Sequence, residues 1–362
     1  MKIVVFAGGS GKRFWPLSRN KFPKQFQPII NDKSTIELMV GRIADVYGWG
    51  NIFMPTTKIL VPLIEKHLPS ISKKNIFTEP TRRDLGAAVG YAMIRLRKAG
   101  FGDEPVSILW SDNFPANGKA FQDSLKAGEE LIKIEPNRII FLGEKPTFPN
   151  DNLGWIELGE KIDEKNGISA YKKENFKYRP SVDQANEWFN SENYVWNTGY
   201  FVSTPNFILK QYEKQNSKMY SQLVDIENAI GTDKEEAKIN EIYPVIETTH
   251  FDNVVLEGLD NKEAIVLKTD FNWTDPGTLY ALKQFLQKNE EDTITKGLTY
   301  TYNTKDSLVY NLVEGQILTT VGLDGYIVVN TPDAVLVCHK DEIGNIKKML
   351  EEWEGTELER FM

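Results

Sequence analysis

Three histidines and one cysteine in 362 residues leave little material for soft-metal or thiol chemistry. His67, His250 and His339 stand at unrelated spacings, which argues against a histidine-based metal cluster. Cys338 is alone, so no internal disulfide can form and nothing demands an oxidising compartment; it reads as a core residue, not a nucleophile. No run of about eighteen apolar residues occurs, so no membrane-spanning helix is expected. The N-terminus also lacks the apolar stretch of a signal peptide, and the expected location is the cytoplasm. Basic residues are the minority, 43 Lys and Arg against 51 Asp and Glu, for a net charge of −8. That balance speaks against a nucleic-acid groove but allows a locally positive nucleotide site. The spacings G-x-G-x-x-G and G-x-x-x-x-G-K-[ST] do not fit the glycine-rich turn described next, which disfavours a dinucleotide-binding fold and a P-loop ATPase.

What the chain does contain begins at its first residues. Lys2–Phe6 is a short apolar, β-branched run of the kind that forms a buried strand, and it stops abruptly at Ala7-Gly8-Gly9-Ser10-Gly11. Without a Cβ, Gly8, Gly9 and Gly11 can take positive φ and present successive backbone N–H groups to an anion; the plainer alternative is a tight turn. Arg13 and Lys24 could supply charge. Further on, residues 34–46 and 60–68 read as helices and Ile52–Met54 as a strand. An alanine-rich helix covers 86–98, a strand 105–110, a helix 119–134 and a strand 138–142. Alternating strands and helices imply a mostly parallel α/β sheet covered on both faces, with ligands at the carboxyl ends of the strands, where Gly8 and Asp112 sit. The middle, 145–275, is less regular, and the charge run at 233–238 reads as a solvated helix face. From Tyr300 the pattern changes to short β-rich segments separated by turns, with a closing helix over 343–353. The expected domains are 1–288 and 289–362.

The segment from Gly8 to Lys24 resembles the signature of sugar nucleotidyltransferases, AGG-x-G-x-R-(L/F)-x-P-L-(S/T) followed by P-K, with Lys12 where Thr is usual. Phe14-Trp15-Pro16-Leu17-Ser18-Arg19 and Pro23-Lys24-Gln25-Phe26 resemble the mannose-1-phosphate guanylyltransferase branch. So does the stretch 328–337, close to VV-x-TPDA-x-LV. The resemblance spans nearly the whole chain. It implies a Rossmann-like, mixed, mostly parallel sheet of the nucleotidyltransferase A type, with a small C-terminal β-helix-like domain.

Joining a nucleotide to a sugar phosphate asks little covalent chemistry of a protein; the task is to bring two polyanions together and neutralise developing charge. The resemblance places catalytic roles on Arg13 and Lys24, and Mg²⁺ ligation on Asp112 and Asp275; Asp112 falls on a P-A-D-H-like motif in which Asn113 replaces His. Magnesium prefers oxygen ligands and commonly needs only one or two carboxylates beside substrate phosphates. With Gly8, Gly9, Ser10 and Gly11, the nucleotide would be held by Glu79, Arg83 and Asp84, from a segment resembling EP-x-x-RNTAPA. A carboxylate at Glu79 can accept from guanine N1–H and N2–H₂ together, whereas adenine offers an acceptor at N1. The sugar phosphate would meet Gly154 and Glu157 of a YGYIE-like segment, Asn197 of a WNSGMF-like segment, and Arg179. Tyr178-Arg179 stands where the family has Glu-Lys.

The resemblance implies a Mg²⁺-assisted transfer of GMP from GTP to mannose 1-phosphate, and no nucleic-acid or membrane partner is expected; a homodimer is left open. Two alternatives stand beside it: the same chemistry with another hexose 1-phosphate or NTP, and a non-catalytic subunit that senses GDP-sugar.

Overall fold

Because Lys2–Phe6 is apolar on both faces, it can lie only where both faces are covered, and in the computed structural model it is a central strand, β1. The structure describes residues 1–9, 11–30, 33–274 and 277–362, without the side chains of Ile29, Ile30 and Phe114. Ser10 and Asp275, both assigned site roles from the sequence, lie outside the described residues. By contact the chain forms two units, the first comprising Met1–Gly8, Met39–Ser111 and Pro115–Trp273.

The first unit is built on a nine-stranded sheet. After β1 come β2 (Ile52–Thr57), β3 (Ile76–Glu79), β4 (Val106–Trp110), β5 (Ile139–Glu144), β6 (Gly154–Lys165), β7 (Ile168–Tyr178), β8 (Tyr194–Ser203) and β9 (Ala264–Thr269). Their spatial order is β3-β2-β1-β4-β8-β5-β9-β7-β6. The sheet is mixed. Pairing is parallel among β1 to β4 and between β5 and β9. It is antiparallel where β8 inserts between β4 and β5, and along the β9-β7-β6 edge.

On one face, Val4, Phe6, Ile108 and Phe141 share a core with Tyr91, Phe207 and Leu223 from helices Asp84–Leu96, Pro205–Gln215 and Ser217–Ala229. On the other face lies helix Gly118–Ile134: Phe121 meets Tyr200 and Phe271, and a Cβ on Gly128 would come within 2.9 Å of Val202. Each such side chain contributes about 1.5–3 kcal/mol on burial, well above the surface ion pairs at about 0–1 kcal/mol each. The charge run near residue 235 is, as expected, part of a largely exposed helix, Glu235–Ile242. Among the described residues no helix is long and apolar enough to cross a membrane.

The second unit comprises Gly9–Leu38, Asp112–Phe114 and Thr274–Met362. Its later part stacks short strands as successive coils: β10 (Ile294–Lys296), β11 (Thr299–Tyr302), β12 (Leu308–Asn311), β13 (Leu318–Val321) and β14 (Tyr326–Asn330), followed by β15 (Val335–His339). Strand β12 pairs in parallel with β10 and β14, β11 does so with β13, and β15 closes the stack antiparallel to β14. This is the β-helix-like arrangement that the resemblance implies. The closing helix is Asn345–Trp353. The Lys283 ammonium, fully buried on helix Leu279–Leu286, is neutralised by Asp306 and also donates to the Glu290 carbonyl at 2.5 Å.

This partition differs from a single cut after residue 288. Phe14, Trp15 and Leu17 of the signature segment share a core with Leu279, Leu282, Leu308 and Leu350, so that segment packs in the second unit although its sequence continues from β1.

Candidate functional site

Strand direction decides which residues share an edge. Strands β1 to β4 point one way, and β5 and β9 point the same way because antiparallel β8 lies between β4 and β5. Gly8, Glu79, Ser111, Glu144 and Thr269 therefore end or follow their strands along one carboxyl edge, and β8 enters from that edge with Asn197. Open α/β sheets bind ligands at this edge. Ser111 is locked there, its hydroxyl donating to the Phe6 carbonyl at 2.8 Å.

The sugar-side candidates come together around the start of β6. Asn197 Oδ1 accepts from the Gly199 N–H at 3.1 Å, and Gly199 sits at φ +75°, where a Cβ would strike Trp110 Nε1 at 2.5 Å. Only glycine permits that bulge between β8 and its neighbours. A Cβ on Gly154 would meet Asn197 Cβ at 3.3 Å, and the Arg179 N–H donates to the Leu153 carbonyl at 3.1 Å, so Gly154, Asn197 and the Arg179 backbone are neighbours. The Arg179 side chain is exposed and lies over the ring of Tyr178. Glu157 faces elsewhere: it lies further along β6 opposite Tyr194, whose phenol it hydrogen-bonds. Its carboxylate is thus already partnered.

Glu79 ends β3 with only 8% exposure, and the Tyr243 phenol donates to its Oε2. Burial pushes its carboxyl up to about 7, against the opposing pull of that hydrogen bond and of Arg82. Tyr243 is itself set edge-on against Tyr91 at 5.5 Å. Arg83 and Asp84 turn to a different segment: Arg83 Nη1 donates to Thr248 Oγ1 at 3.3 Å, and Asp84, at φ +59°, lies 3.4 Å from His250 Nδ1. A cleft of about 330 Å³ beside β3 is lined by Thr78 and Pro80 but not by Glu79, and ion pairs of both signs, Arg95–Glu235 and Lys58–Glu236, line it. Such a lining does not select a polyanion.

In the second unit the signature segment forms a cationic nook. Gly9 and Gly11 take φ +91° and +61°. A Cβ on Gly11 would lie 2.9 Å from Lys24 Cβ and 3.3 Å from Ser18 Cβ, so its absence lets Lys24 close against the turn. Lys24, 4% exposed, has its ammonium 5.2 Å from the Phe14 ring centre and 3.8 Å from Asp112 Oδ2. The carboxylate of Asp112 is about half exposed. Arg13 is exposed. Neighbouring signature residues are tied to the C-terminal end: Lys12 to Glu354 at 2.6 Å, Trp15 Nε1 to the Phe361 carbonyl at 2.8 Å, and Arg19 to Asp333 at 2.8 Å.

Among the described residues no three or more His, Cys, Asp or Glu side chains cluster as a metal cage. Asp112 still fits magnesium, which is commonly held by one or two carboxylates with substrate phosphates completing the shell, and its exposed oxygens can reach an arriving ligand.

Sequence reasoning missed two residues. Glu144, 2% exposed at the end of β5, accepts from the N–H groups of Phe271 and Trp273, each at 3.1 Å, and burial raises its pKa. A glutamate ending the apolar run Ile139-Ile140-Phe141-Leu142-Gly143 was the available signal. Tyr243 had none, because its partner Glu79 is 164 residues away.

Comparison with known proteins adds lineage to this geometry. Residues 2–292 match the model of the nucleotidyl transferase family, and residues 301–353 match the MannoseP isomerase/GMP-like beta-helix domain. The chain is similar to a mannose-1-phosphate guanylyltransferase of Salmonella muenchen, 26% identical over 352 residues, covering 96% of this chain and 72% of that protein. A mannose-1-phosphate guanylyltransferase of Escherichia coli is 25% identical with the same coverage of each chain. Among solved structures, a protein described as a mannose-1-phosphate geranyltransferase from Thermus thermophilus superposes with a TM-score of 0.84. At 24% identity, over 98% of this chain and 99% of that one, it establishes the shared fold.

Proposed function

The chain belongs to the nucleotidyl transferase family, and on that premise we propose that it transfers GMP from GTP to mannose 1-phosphate, releasing pyrophosphate and giving GDP-mannose. The observation that carries this reading is the nook in which Gly11 lets buried Lys24 close against the signature turn, 3.8 Å from Asp112. Curated relatives named for the reaction match 96% of the chain, which supports the choice of substrates.

In the proposed reaction an oxygen of the sugar phosphate attacks the α-phosphorus of GTP in line. The new P–O bond forms as the bond to the β-phosphate oxygen breaks, and that electron pair leaves with pyrophosphate. The attacking oxygen is already anionic near neutral pH, so no protein base is required. Backbone N–H groups from Gly8 to Gly11 hold phosphate oxygens, Lys24 offsets charge as a compact cation, and Arg13 can offer a forked pair of donors. Bound magnesium, held by Asp112 and Asp275, would draw electron density from the phosphates. Glu79, when ionised, accepts from guanine; Tyr243 occupies one lone-pair direction of Oε2 and leaves the others. Asn197, Gly154 and Arg179 receive the sugar phosphate.

A second reading keeps the chemistry and changes the hexose. It is favoured by Tyr178, 60% exposed and unable to supply a carboxylate's acceptors, and by the prior engagement of Glu157 with Tyr194. Pyrophosphate release with Mg²⁺ should be measured for mannose 1-phosphate against each NTP, then for GTP against a panel of hexose 1-phosphates. Release confined to GTP and mannose 1-phosphate is the expected result. Release with GTP and another hexose would move the substrate, and binding of GDP-mannose without turnover would favour a sensing subunit.

A further inference from the structure

The segment that follows β9 is held from two sides. From one side, Glu144 accepts through Oε1 from the Trp273 N–H and through Oε2 from the Phe271 N–H, both at 3.1 Å. The Thr269 hydroxyl proton is shared between Glu144 Oε2 at 3.1 Å and the Gly143 carbonyl at 2.9 Å. From the other side, the N–H groups of Ala116 and Asn117 donate to the carbonyls of Asn272 and Phe271, at 3.0 and 2.9 Å. Between these anchors Asn272 turns the chain at φ +52°. A carboxylate removed from water is costly unless ionised or polar partners compensate, and here its acceptors are spent on backbone donors of one short segment.

We propose that Glu144 is a positioning residue for the metal-binding segment: it sets the backbone of Thr269–Trp273, which precedes Asp275 in the chain, and through the Ala116 and Asn117 bonds it also steadies the chain following Asp112. The inference rests on the reading that Asp112 and Asp275 hold magnesium. Glu144 does not touch the metal or the substrates. Its part is to keep the Thr269–Trp273 backbone in one conformation, so that binding the cation does not have to select that conformation first.

The test uses Glu144→Gln, which keeps size and shape but sets an amide N–H₂ against a backbone N–H. Mn²⁺ binding in the presence of GTP, followed by electron paramagnetic resonance, is the readout. The Mn²⁺ dissociation constant should rise at least about tenfold, as for other outer-shell partners of metal ligands. The Mg²⁺ concentration for half-maximal turnover should rise in parallel, while KM for mannose 1-phosphate stays within about twofold, since no sugar contact is removed. Thr269→Val, which deletes one donor to Glu144, should give a shift of about threefold and covers the case in which the Gln variant does not fold. A Gln variant that melts lower but binds Mn²⁺ as the wild type does would overturn the proposal, as would an unchanged affinity in Thr269→Val. Wild-type protein that binds no Mn²⁺ with GTP would instead remove the functional reading and the inference with it, so the two failures are told apart by the wild-type titration.

Discussion

At Glu79, burial and hydrogen bonding pull in opposite directions. Loss of water raises the carboxyl from 4.5 to about 7, while the Tyr243 phenol and the charge of Arg82 restrain the rise. The folded chain therefore holds a proton that the unfolded chain has already lost between these values. The associated stabilisation is complete below about pH 4.5 and lost as pH rises through about 7, amounting to roughly 3 kcal/mol. Glu79→Gln does not titrate and should show no such slope. Denaturant unfolding from pH 4.5 to 8 should find the variant gaining on the wild type across that window; parallel curves would mean that the carboxyl titrates normally. Only the ionised carboxylate accepts from both guanine donors, so preference for GTP over ATP should strengthen as pH rises through 7 and be weak at every pH in the variant. The glutamate was legible in the Glu79-Pro80 motif. Its proton affinity was not, since that depends on burial by the folded chain, which the Tyr243 phenol, 164 residues away, only partly offsets.

At the scale of the element, the signature segment depends on residues much later in the chain. Trp15 is 5% exposed, meets Trp353 edge-on at 5.2 Å and donates to the Phe361 carbonyl. The Lys12–Glu354 ion pair is considerably wetter, with side chains 25% and 56% exposed. Burial, not charge, should dominate. Trp15→Ala should cost about 3–5 kcal/mol and Trp15→Phe about 1 kcal/mol beyond its loss of ring area, whereas Glu354→Ala should cost less than about 1 kcal/mol. Urea midpoints would check the order, and a Glu354 effect as large as that of Trp15→Ala would contradict it. The glycine-rich turn was legible as a candidate phosphate cradle or a plain tight turn, and Gly9 and Gly11 take the positive φ open to glycine. Nothing in the spacing announced that Phe14, Trp15 and Leu17 pack with the C-terminal coils, because an aromatic residue at this position can bury on any apolar surface the fold provides.

For the whole molecule, the contrast to test is between metal for chemistry and metal for folding. The core rests on apolar burial in both units, and among the described residues no three-carboxylate or histidine cage staples it. A chelator should therefore stop pyrophosphate release while leaving the melting temperature within about 1 °C, a shift of under about 1 kcal/mol for a chain of this size. Restored Mg²⁺ should return activity in full. A large fall in melting temperature would assign the cation a structural role.

Local pattern was enough for much of this protein. Apolar β-branched runs bounded by turn residues identified β1, β2, β4 and β5, helical spacing identified the helix over 119–134, and the change to short β segments marked the C-terminal coils, because burial on one or two faces imposes its period directly on the chain; β6 to β9 lie in the stretch that reads as less regular. Tertiary structure decided what period cannot express. The insertion of β8 reverses the pairing in the middle of the sheet, and the partnering of Glu157 with Tyr194 takes that carboxylate out of free supply. The raised proton affinity of Glu79 and the anchoring of Thr269–Trp273 by Glu144 are likewise tertiary. Each depends on groups far apart in sequence and on the removal of water between them, and neither distance nor desolvation exists until the chain has folded.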